Sequence, residues 1–311
     1  RSGGGPWASG GAMGATARNL DELWRNVAAG SLCTSFSVAL WNPLDTLRIR
    51  WQVAGGAAQG GGMAQFARNI LRSEGLLRGL WVPGCLAHSS AVAISSGARL
   101  GFYPTLRDLM VEHTTADGEK RAWHMWSAGF LSGAVGFFSA NPFFLAKVRL
   151  QVTTGKPDPP YRGMLDCLSK VGRSEGLSGL FRGSSTLLIR GALLSAGSQL
   201  GYDFTKTEAK RSGLLSDGPV LHVVASVFSA FLASTMSAPC DLVMTRYQAA
   251  PILGRHYAGL GDCVRQVYRE GGVREFYRGW APLFLRLAPL WMFNMPLYEA
   301  CRRMFGLSYL N

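Results

Sequence analysis

Three segments of the chain share one pattern of residues. They are WNPLDTLRIRWQ (41–52), ANPFFLAKVRLQ (140–151) and SAPCDLVMTRYQ (237–248). Each has a proline near its start and an arginine and a glutamine at its end. The prolines, Pro43, Pro142 and Pro239, lie 99 and 97 residues apart. This period is too long for a solenoid and predicts three tandem modules.

Two further landmarks recur with the same period. An acid–glycine landmark follows each segment, as SEGLLRGLWVPG from Ser73, SEGLSGLFRG from Ser174 and REGGVREFYRG from Arg269. Each module then closes on an aromatic residue followed by a basic one, at Arg107, Lys206 and Arg302. The sequence therefore predicts three repeats over 18–112, 113–212 and 213–311. The Gly- and Ser-containing segment 1–17 is typical of a flexible tail.

Long apolar stretches flank the acid–glycine landmark in every module. One stretch precedes the landmark, over 20–53, 121–152 and 218–249, and one follows it, over 84–111, 183–211 and 279–304. Each is long enough to cross a hydrocarbon core of about 30 Å. A short amphipathic stretch, such as MLDCLSKVGRSEG, lies between the two. The predicted fold class is an all-α membrane protein with six transmembrane helices in three repeats and short surface helices on one side.

The composition agrees with a membrane protein that has a polar interior. Of the 311 residues, 48% are hydrophobic and 16% are charged, and the net charge is +13. The basic residues are spread through the repeats, which argues against nucleic-acid binding. The sequence contains no nucleophile–base constellation or phosphate loop, so we predict that the protein is not an enzyme. The six cysteines form no C-x-x-C pair, which favours reduced, mostly buried thiols over a metal site.

From about Leu20 to Phe305 the chain resembles the mitochondrial carrier family. The resemblance is carried by the signature P-x-[D/E]-x-x-[K/R] in three copies, followed each time by the acid–glycine landmark. It implies a six-helix bundle with pseudo-threefold symmetry in the inner mitochondrial membrane, with short matrix helices and both termini toward the intermembrane space. It also implies that a monomer transports a small metabolite by alternating access.

The resemblance further implies a matrix gate made of signature acids and bases from neighbouring repeats. Asp45 is expected to pair with Lys147, and Asp241 with Arg48. A charge near the membrane interior is costly unless it is paired or hydrated, which explains the need for such pairs.

The third gate pair is missing from the sequence. Its two positions are occupied by Phe144 and Met244, so an acid and its base are lost together. Because one charge left alone would be costly, we interpret this as an apolar contact that replaces an ion pair. Two unrelated losses are the alternative.

A cytoplasmic gate is implied by the motif [F/Y]-[D/E]-x-x-[K/R] at the other end of the bundle. The matching residues are Asp203 with Lys206, and Glu299 with Arg302. In the first repeat Pro104 stands at the acid position, and only the base Arg107 remains.

Substrate contacts in this family lie on the even-numbered helices, thirteen residues before the acid of the cytoplasmic motif. The expected contact residues, with two that fit the subgroup named below, are Arg190, Gly191, Arg286, Leu287, Ala91, Ser90, His88, Arg99 and Gln199. Two arginines in a midplane cavity would select a small dianion, because the guanidinium group binds a carboxylate in a two-pronged geometry. A structural role for either arginine, as the partner of an acid or of a helix terminus, is the alternative. His88 is expected to line the pore rather than to relay protons.

Within the family, three stretches resemble the oxaloacetate/dicarboxylate carrier subgroup. They are SANPFFLAKVRLQ, APCDLVMTRYQ and GALLSAGSQLGYDFTK. We therefore expect an antiporter of dicarboxylates such as oxaloacetate or malonate, or of sulfate. One alternative is an accessory subunit of a respiratory or other inner-membrane complex, with little or no transport. A second alternative is an uncoupling-type proton leak.

The resemblance also implies bound cardiolipin at the start of the even-numbered helices. The expected residues are Arg182, Gly183, Arg278 and Gly279. Backbone N–H groups at a helix start bind phosphate. The first repeat has Trp81-Val82-Pro83-Gly84 at this position and so lacks the base. No other cofactor is expected.

Overall fold

The computed structural model describes residues 9–54, 62–114, 122–212 and 219–305. Within these ranges all the regular structure is helical. The helices are α1 (Ser9–Leu40), α2 (Asn42–Val53), α3 (Met63–Ser73), α4 (Cys85–Thr114), α5 (Ala122–Thr153), α6 (Met164–Ser174), α7 (Gly176–Leu180), α8 (Ser184–Ser212), α9 (Pro219–Ala249), α10 (Leu260–Phe276) and α11 (Trp280–Met304).

The long helices form a closed ring. Helix α4 packs between α1 and α5, and α8 packs against both α5 and α9. Helix α11 then packs against α9 and α1 and completes the ring. The shorter helices α3, α6 and α10 each stand between the two long segments of one repeat. This arrangement confirms the predicted all-α architecture.

Helix α1 begins upstream of the repeat landmarks. It starts at Ser9, within the segment 1–17 whose composition is typical of a flexible tail. Residues 1–8 lie outside the described part of the chain. The helix extends upstream because the segment Ala12–Arg18 contains several residues of good helix propensity, alanine above all.

Two helical segments satisfy, on their own, the length and hydropathy of a membrane span. They are Trp123–Thr153 and Leu221–Leu253, in the second and third repeats. The other long helices of the described chain are less apolar. Helix α8, for example, carries Arg190, Gln199 and Asp203 along its length. Polar residues at such positions fit a bundle that surrounds a polar interior.

The signature prolines act differently in the three repeats. Pro142 and Pro239 lie inside the continuous helices α5 and α9. Pro43 instead lies in the first turn of α2, after a break at Trp41 that separates α2 from α1. Proline is well tolerated in a first helical turn, because its missing N–H needs no partner there.

A glycine stands just before each of the helices α4, α8 and α11, at a contact with the next repeat. Gly84, Gly183 and Gly279 all have positive φ, between 64° and 89°. A Cβ atom at these positions would lie 3.0–3.3 Å from the Cγ atom of a signature glutamine in the next repeat. The glutamines are Gln151, Gln248 and Gln52, in that order. Glycine is therefore needed both for the backbone conformation and for the close contact.

The first repeat accommodates extra residues before this glycine with a π-helical turn. The segment from Gly75 to Gly84 is longer than the equivalent segment from Gly176 to Gly183. Residues Leu77–Trp81 form the π-turn, in which the Val82 N–H donates to the Leu77 carbonyl over 2.9 Å. A π-turn takes up additional length while the backbone hydrogen bonds are kept.

The six cysteines are all free thiols. Four are buried, namely Cys33, Cys167, Cys263 and Cys301. Cys167 and Cys263 lie in the surface helices α6 and α10, where burial raises the pKa of the first thiol to about 12 and that of the second to about 11. These two side chains therefore behave as small apolar residues in the packing of α6 and α10.

Candidate functional site

A buried network of charged side chains closes the proline-containing end of the bundle. We call it the closed-end network. Its members are Asp45, Arg48, Gln52, His88, Lys147, Arg190, Asp241 and Arg286. They come from α2, α4, α5, α8, α9 and α11, so all three repeats contribute.

Asp45 of the first repeat is the more heavily bonded of the two acids. Its Oδ2 atom lies 2.5 Å from Lys147 Nζ, and these are the two residues that the family resemblance pairs. Its Oδ1 atom lies 2.9 Å from an Arg48 guanidinium nitrogen and 3.1 Å from Arg286 Nη1. Asp45 therefore joins α2, α5 and α11.

Asp241 of the third repeat has an equivalent environment. Arg48 Nη1 lies 2.9 Å from its Oδ2 atom, and Arg190 Nε lies 2.6 Å from its Oδ1 atom. Gln52 Nε2 donates to the same carboxylate over 3.1 Å. Arg48 thus binds both acids with different nitrogens and connects the two halves of the network.

The closed-end network contains more positive than negative charge. Four cationic side chains, Arg48, Lys147, Arg190 and Arg286, surround two carboxylates. Both carboxylates are fully buried. An unpaired buried charge is costly, so the two positive charges in excess favour the entry of an anion.

The third gate position is apolar. Phe144 and Met244 are 7% and 4% exposed and belong to one cluster with Ala91, Ala140 and Leu187. The acid and the base that the signature would provide are therefore replaced by side chains that pack in the same cluster. This packing agrees with the interpretation of a coordinated replacement.

A second ring of ion pairs, which we did not predict from the sequence, encloses the network. Arg50 binds Glu74 at 2.6 and 2.8 Å, and Arg149 binds Glu175 at 2.5 and 2.8 Å. In the third repeat Arg246 binds both Glu270 and Glu275. The signal was present, because each arginine precedes the signature glutamine and each glutamate belongs to the acid–glycine landmark.

The arginines of this second ring also connect successive repeats. Each donates to a backbone carbonyl of the following repeat, at distances of 3.0–3.4 Å. The acceptors are Thr154, Gln248 and Gln52. Hydrogen bonds from Arg149 lower the pKa of Glu175, so this pair stays ionised at neutral pH.

The two arginines expected in a midplane cavity point toward the closed end instead. The side chains of Arg190 and Arg286 are 11% and 8% exposed, and each binds an acid of the network. In this conformation the structure therefore shows the arrangement that we gave as the alternative, in which each arginine is the partner of an acid.

The remaining expected contact residues divide between buried and open positions. Ala91, Gly191 and Leu287 are buried in apolar packing. Ser90 is half-buried. Gln199 is exposed and lines a cavity of about 730 Å³ between α8, α9 and α11. Arg99 is exposed on α4.

His88, which is expected to line the pore, lies within the closed-end network in this conformation. Its side chain is buried, and its Nε2 atom lies 3.2 Å from Lys147 Nζ. Its Nδ1 atom lies 3.7 Å from Asp45 Oδ2. A polar residue one turn after Gly84 reaches the network because α4 begins next to the signature helices.

The expected gate residues at the opposite end of the bundle are less buried than the charged residues of the closed-end network. Arg107 binds its neighbour Asp108 at 2.8 Å, and Asp203 is exposed. Arg302 donates to Asn26 Oδ1 over 2.9 Å. Lys206 is half-buried, and the side chain of Glu299 lies outside the described part of the structure.

Two of the four expected lipid residues, Arg278 and Gly279, line a cavity of about 530 Å³ at the start of α11. Arg278 Nε donates to the Trp51 carbonyl over 2.8 Å, and the guanidinium group stacks on the Trp51 ring at 4.2 Å. Its Nη2 atom is buried and has no partner among the described residues. At the equivalent place in the second repeat, Arg182 lies over the ring of Tyr247 at 4.8 Å.

Comparison with known proteins identifies the pattern of repeats. A family model described as "Mitochondrial carrier protein" matches residues 19–114, 118–212 and 216–309. A Dictyostelium discoideum protein named "Probable mitochondrial 2-oxoglutarate/malate carrier protein" is 30% identical over 84% of this chain and 83% of its own length.

Two fungal relatives have similar coverage. The mitochondrial citrate transporter E of Aspergillus niger is 30% identical over 87% of this chain and 90% of its own length. The mitochondrial oxaloacetate transport protein of Saccharomyces cerevisiae is 29% identical over 88% of this chain and 87% of its own length.

Proposed function

Because this chain belongs to the mitochondrial carrier family, whose members are multi-pass transporters of the inner mitochondrial membrane, we propose that it exchanges small dicarboxylate anions. The names of its relatives, which include oxoglutarate, malate, citrate and oxaloacetate transporters, support an anionic metabolite. Exchange by alternating access requires two gates that open in turn, and the closed-end network is the proposed matrix gate.

The excess positive charge of the closed-end network carries the proposal. Arg190 and Arg286 stand on different helices, α8 and α11, and each binds a carboxylate of the protein. A substrate with two carboxylates offers both arginines the same chemistry that Asp241 and Asp45 now provide. A dianion also balances the two positive charges in excess, whereas a monoanion leaves one of them unpaired.

We place the end opposite the closed-end network toward the intermembrane space. Arg25 of α1 donates to the carbonyl of Phe305, which follows α11, over 3.4 Å, so α1 and the end of α11 meet there. Asp203, Glu299, Lys206, Arg107 and Arg302 would close this end when the network opens.

Uptake by the purified full chain in cardiolipin-containing vesicles tests the proposal. The vesicles are loaded with dicarboxylates, a tricarboxylate, sulfate or a nucleotide, and the exchange of labelled substrate is followed. We expect saturable dicarboxylate exchange that falls at least tenfold in both Arg190→Gln and Arg286→Gln. Arg72→Gln, which changes an exposed arginine of α3, is the matched control and should keep full activity.

Two outcomes would contradict the proposal. Exchange that survives in both arginine variants would show that the substrate binds elsewhere. A folded protein that is inactive across the whole panel would favour the alternative of an accessory subunit in an inner-membrane complex.

We also propose that cardiolipin binds beside α11. The cavity there is lined by Arg278 and lies at the start of the helix, where a guanidinium group and backbone N–H groups suit a phosphate group. The aromatic side chains of Trp51, Tyr277 and Trp280 line the same cavity and suit the acyl chains.

A further inference from the structure

His88 occupies a position in the closed-end network that the anion chemistry does not require. Its Nε2 atom contacts Lys147 Nζ at 3.2 Å, and its side chain is 4% exposed. Its Nδ1 atom is buried, has no hydrogen-bond partner among the described residues and faces Asp45 Oδ2 at 3.7 Å.

The neighbouring lysine determines the protonation state of this histidine. Lys147 lies 2.5 Å from Asp45, and an ammonium group at this position can only donate hydrogen bonds. His88 Nε2 must therefore accept, and the single ring proton resides on Nδ1, directed at Asp45. A second proton would bring two positive charges to a separation of 3.2 Å in a buried site.

The other groups around His88 reinforce this exclusion. Asp45 and Arg48 face it from α2, Arg286 faces it from α11, and the Phe144 ring lies 6.4 Å away on α5. Asp45 is the single acid of this set, and it is already shared among Lys147, Arg48 and Arg286. Arg190 and Asp241 bind each other on the far side of Arg48.

We propose that His88 is a proton-binding site that couples opening of the closed end to pH. The closed conformation holds His88 with one ring proton. When the network separates, Lys147 leaves Nε2, and this nitrogen takes a proton from water on the newly opened side. The proton is released when Lys147 returns. The protein then carries a proton site in addition to its anion site, and the transport arm of the test rests on the proposed function.

Thermal unfolding of the purified chain tests the proton site without any substrate. An ordinary histidine has a pKa of about 6.5, so the unfolded chain binds the second proton at pH 5.5 and the closed protein does not. The equilibrium constant between the closed and the unfolded protein therefore falls about tenfold between pH 7.5 and pH 5.5. A tenfold change corresponds to about 1.4 kcal/mol and to about 3 °C in melting temperature. We therefore expect the melting temperature of the wild type to fall about 3 °C more than that of His88→Gln over this range.

Glutamine is the variant of choice because its amide oxygen can accept from Lys147 and cannot bind a proton. His88→Asn is a second non-titrating variant, in case the first does not fold. His113→Gln removes an exposed histidine from the end of the same helix and should keep the pH dependence of the wild type. Equal pH slopes in the wild type and both His88 variants would overturn the proposal.

Exchange of dicarboxylate in vesicles, with equal pH on both sides, provides the second arm. We expect the rate of the wild type to rise up to about tenfold between pH 7.5 and pH 5.5, and that of His88→Gln to change less than twofold. Transport with the same pH profile in both proteins would refute the coupling and leave the proposed function intact. No transport, together with a melting difference that depends on His88, would refute the proposed function and leave the proton site intact.

Discussion

Phe144 and Met244 occupy the positions where the other repeats hold an acid and a base, so changing both residues restores a third ion pair. The equivalent pairs, Asp45–Lys147 and Asp241–Arg48, have contacts of 2.5 and 2.9 Å. The pseudo-threefold arrangement therefore predicts that Phe144→Asp and Met244→Lys bring an aspartate and a lysine together in the same way.

The expected energies follow from the burial of the two side chains. Phe144→Asp removes a buried aromatic ring, a loss of about 3 to 5 kcal/mol. Met244→Lys adds a fifth cation to a network that already has two positive charges in excess, so about 3 to 5 kcal/mol is again expected. If the two new charges pair, the double variant recovers about 2 kcal/mol relative to the sum of the single changes.

The assay is a double-mutant cycle on the free energy of unfolding in detergent micelles, measured by denaturant titration. Effects that add to within about 0.5 kcal/mol would refute the reasoning, because residues in contact couple more strongly. The same double variant should also exchange substrate more slowly. Each 1.4 kcal/mol of stabilisation that is present only in the closed conformation slows its opening about tenfold.

Three further outcomes are expected. Because its pKa is lowered, Glu175 stabilises the protein above pH 4.5 and loses this effect as the pH falls through the lowered value. Glu175→Gln should therefore cost about 2 kcal/mol of unfolding free energy at pH 7, because it leaves Arg149 unpaired, and the variant should lose less stability than the wild type between pH 5 and pH 3. Gly84→Ala should cost about 2 kcal/mol or more in unfolding free energy, because its φ is +64° and the new Cβ would lie 2.9 Å from a carbonyl oxygen. The control Gly101→Ala, which has open space around the new Cβ, should be neutral or stabilising by up to about 1 kcal/mol. Arg278→Gln should remove at least half of the rise in melting temperature that added cardiolipin gives the wild type; an unchanged rise would place the lipid elsewhere.

The residues that the sequence predicts well are those whose positions repeat. Pro43, Pro142 and Pro239 set the register of the modules, and the family resemblance, placed on that register, implied the pairing of Asp45 with Lys147. Symmetry makes this possible, because one repeat specifies the surroundings of the next. The joint loss at Phe144 was visible for the same reason, as an exception to a pattern present in two other copies.

Features that depend on one repeat alone were harder to predict. The π-turn at Leu77–Trp81 has no counterpart in the other repeats, so nothing in the pattern indicated how the extra residues are accommodated. The start of α1 at Ser9 lies upstream of the region covered by the landmarks. The orientation of the Arg190 and Arg286 side chains depends on which carboxylate is nearest in this conformation. The spacing of residues in the sequence does not contain that information.

The lost ion pair makes the closed end asymmetric, and the asymmetry is centred on α2. Asp45–Lys147 joins the first repeat to the second, and Asp241–Arg48 joins the third repeat to the first. The second and third repeats meet across the Phe144 cluster, without a signature ion pair between them.

An apolar contact has no directional bond to break, and water that enters it gains little from the ring and the thioether. The ion pairs around Arg48, in contrast, can be exchanged for substrate carboxylates or for water. An anion that engages Arg190 and Arg286 withdraws one partner from each acid, which breaks the link of Arg190 between the second and third repeats and that of Arg286 between the third and first. The apolar contact around Phe144 then remains between the second and third repeats, and Asp45–Lys147 and Asp241–Arg48 are the ion pairs that must still separate to release the first repeat.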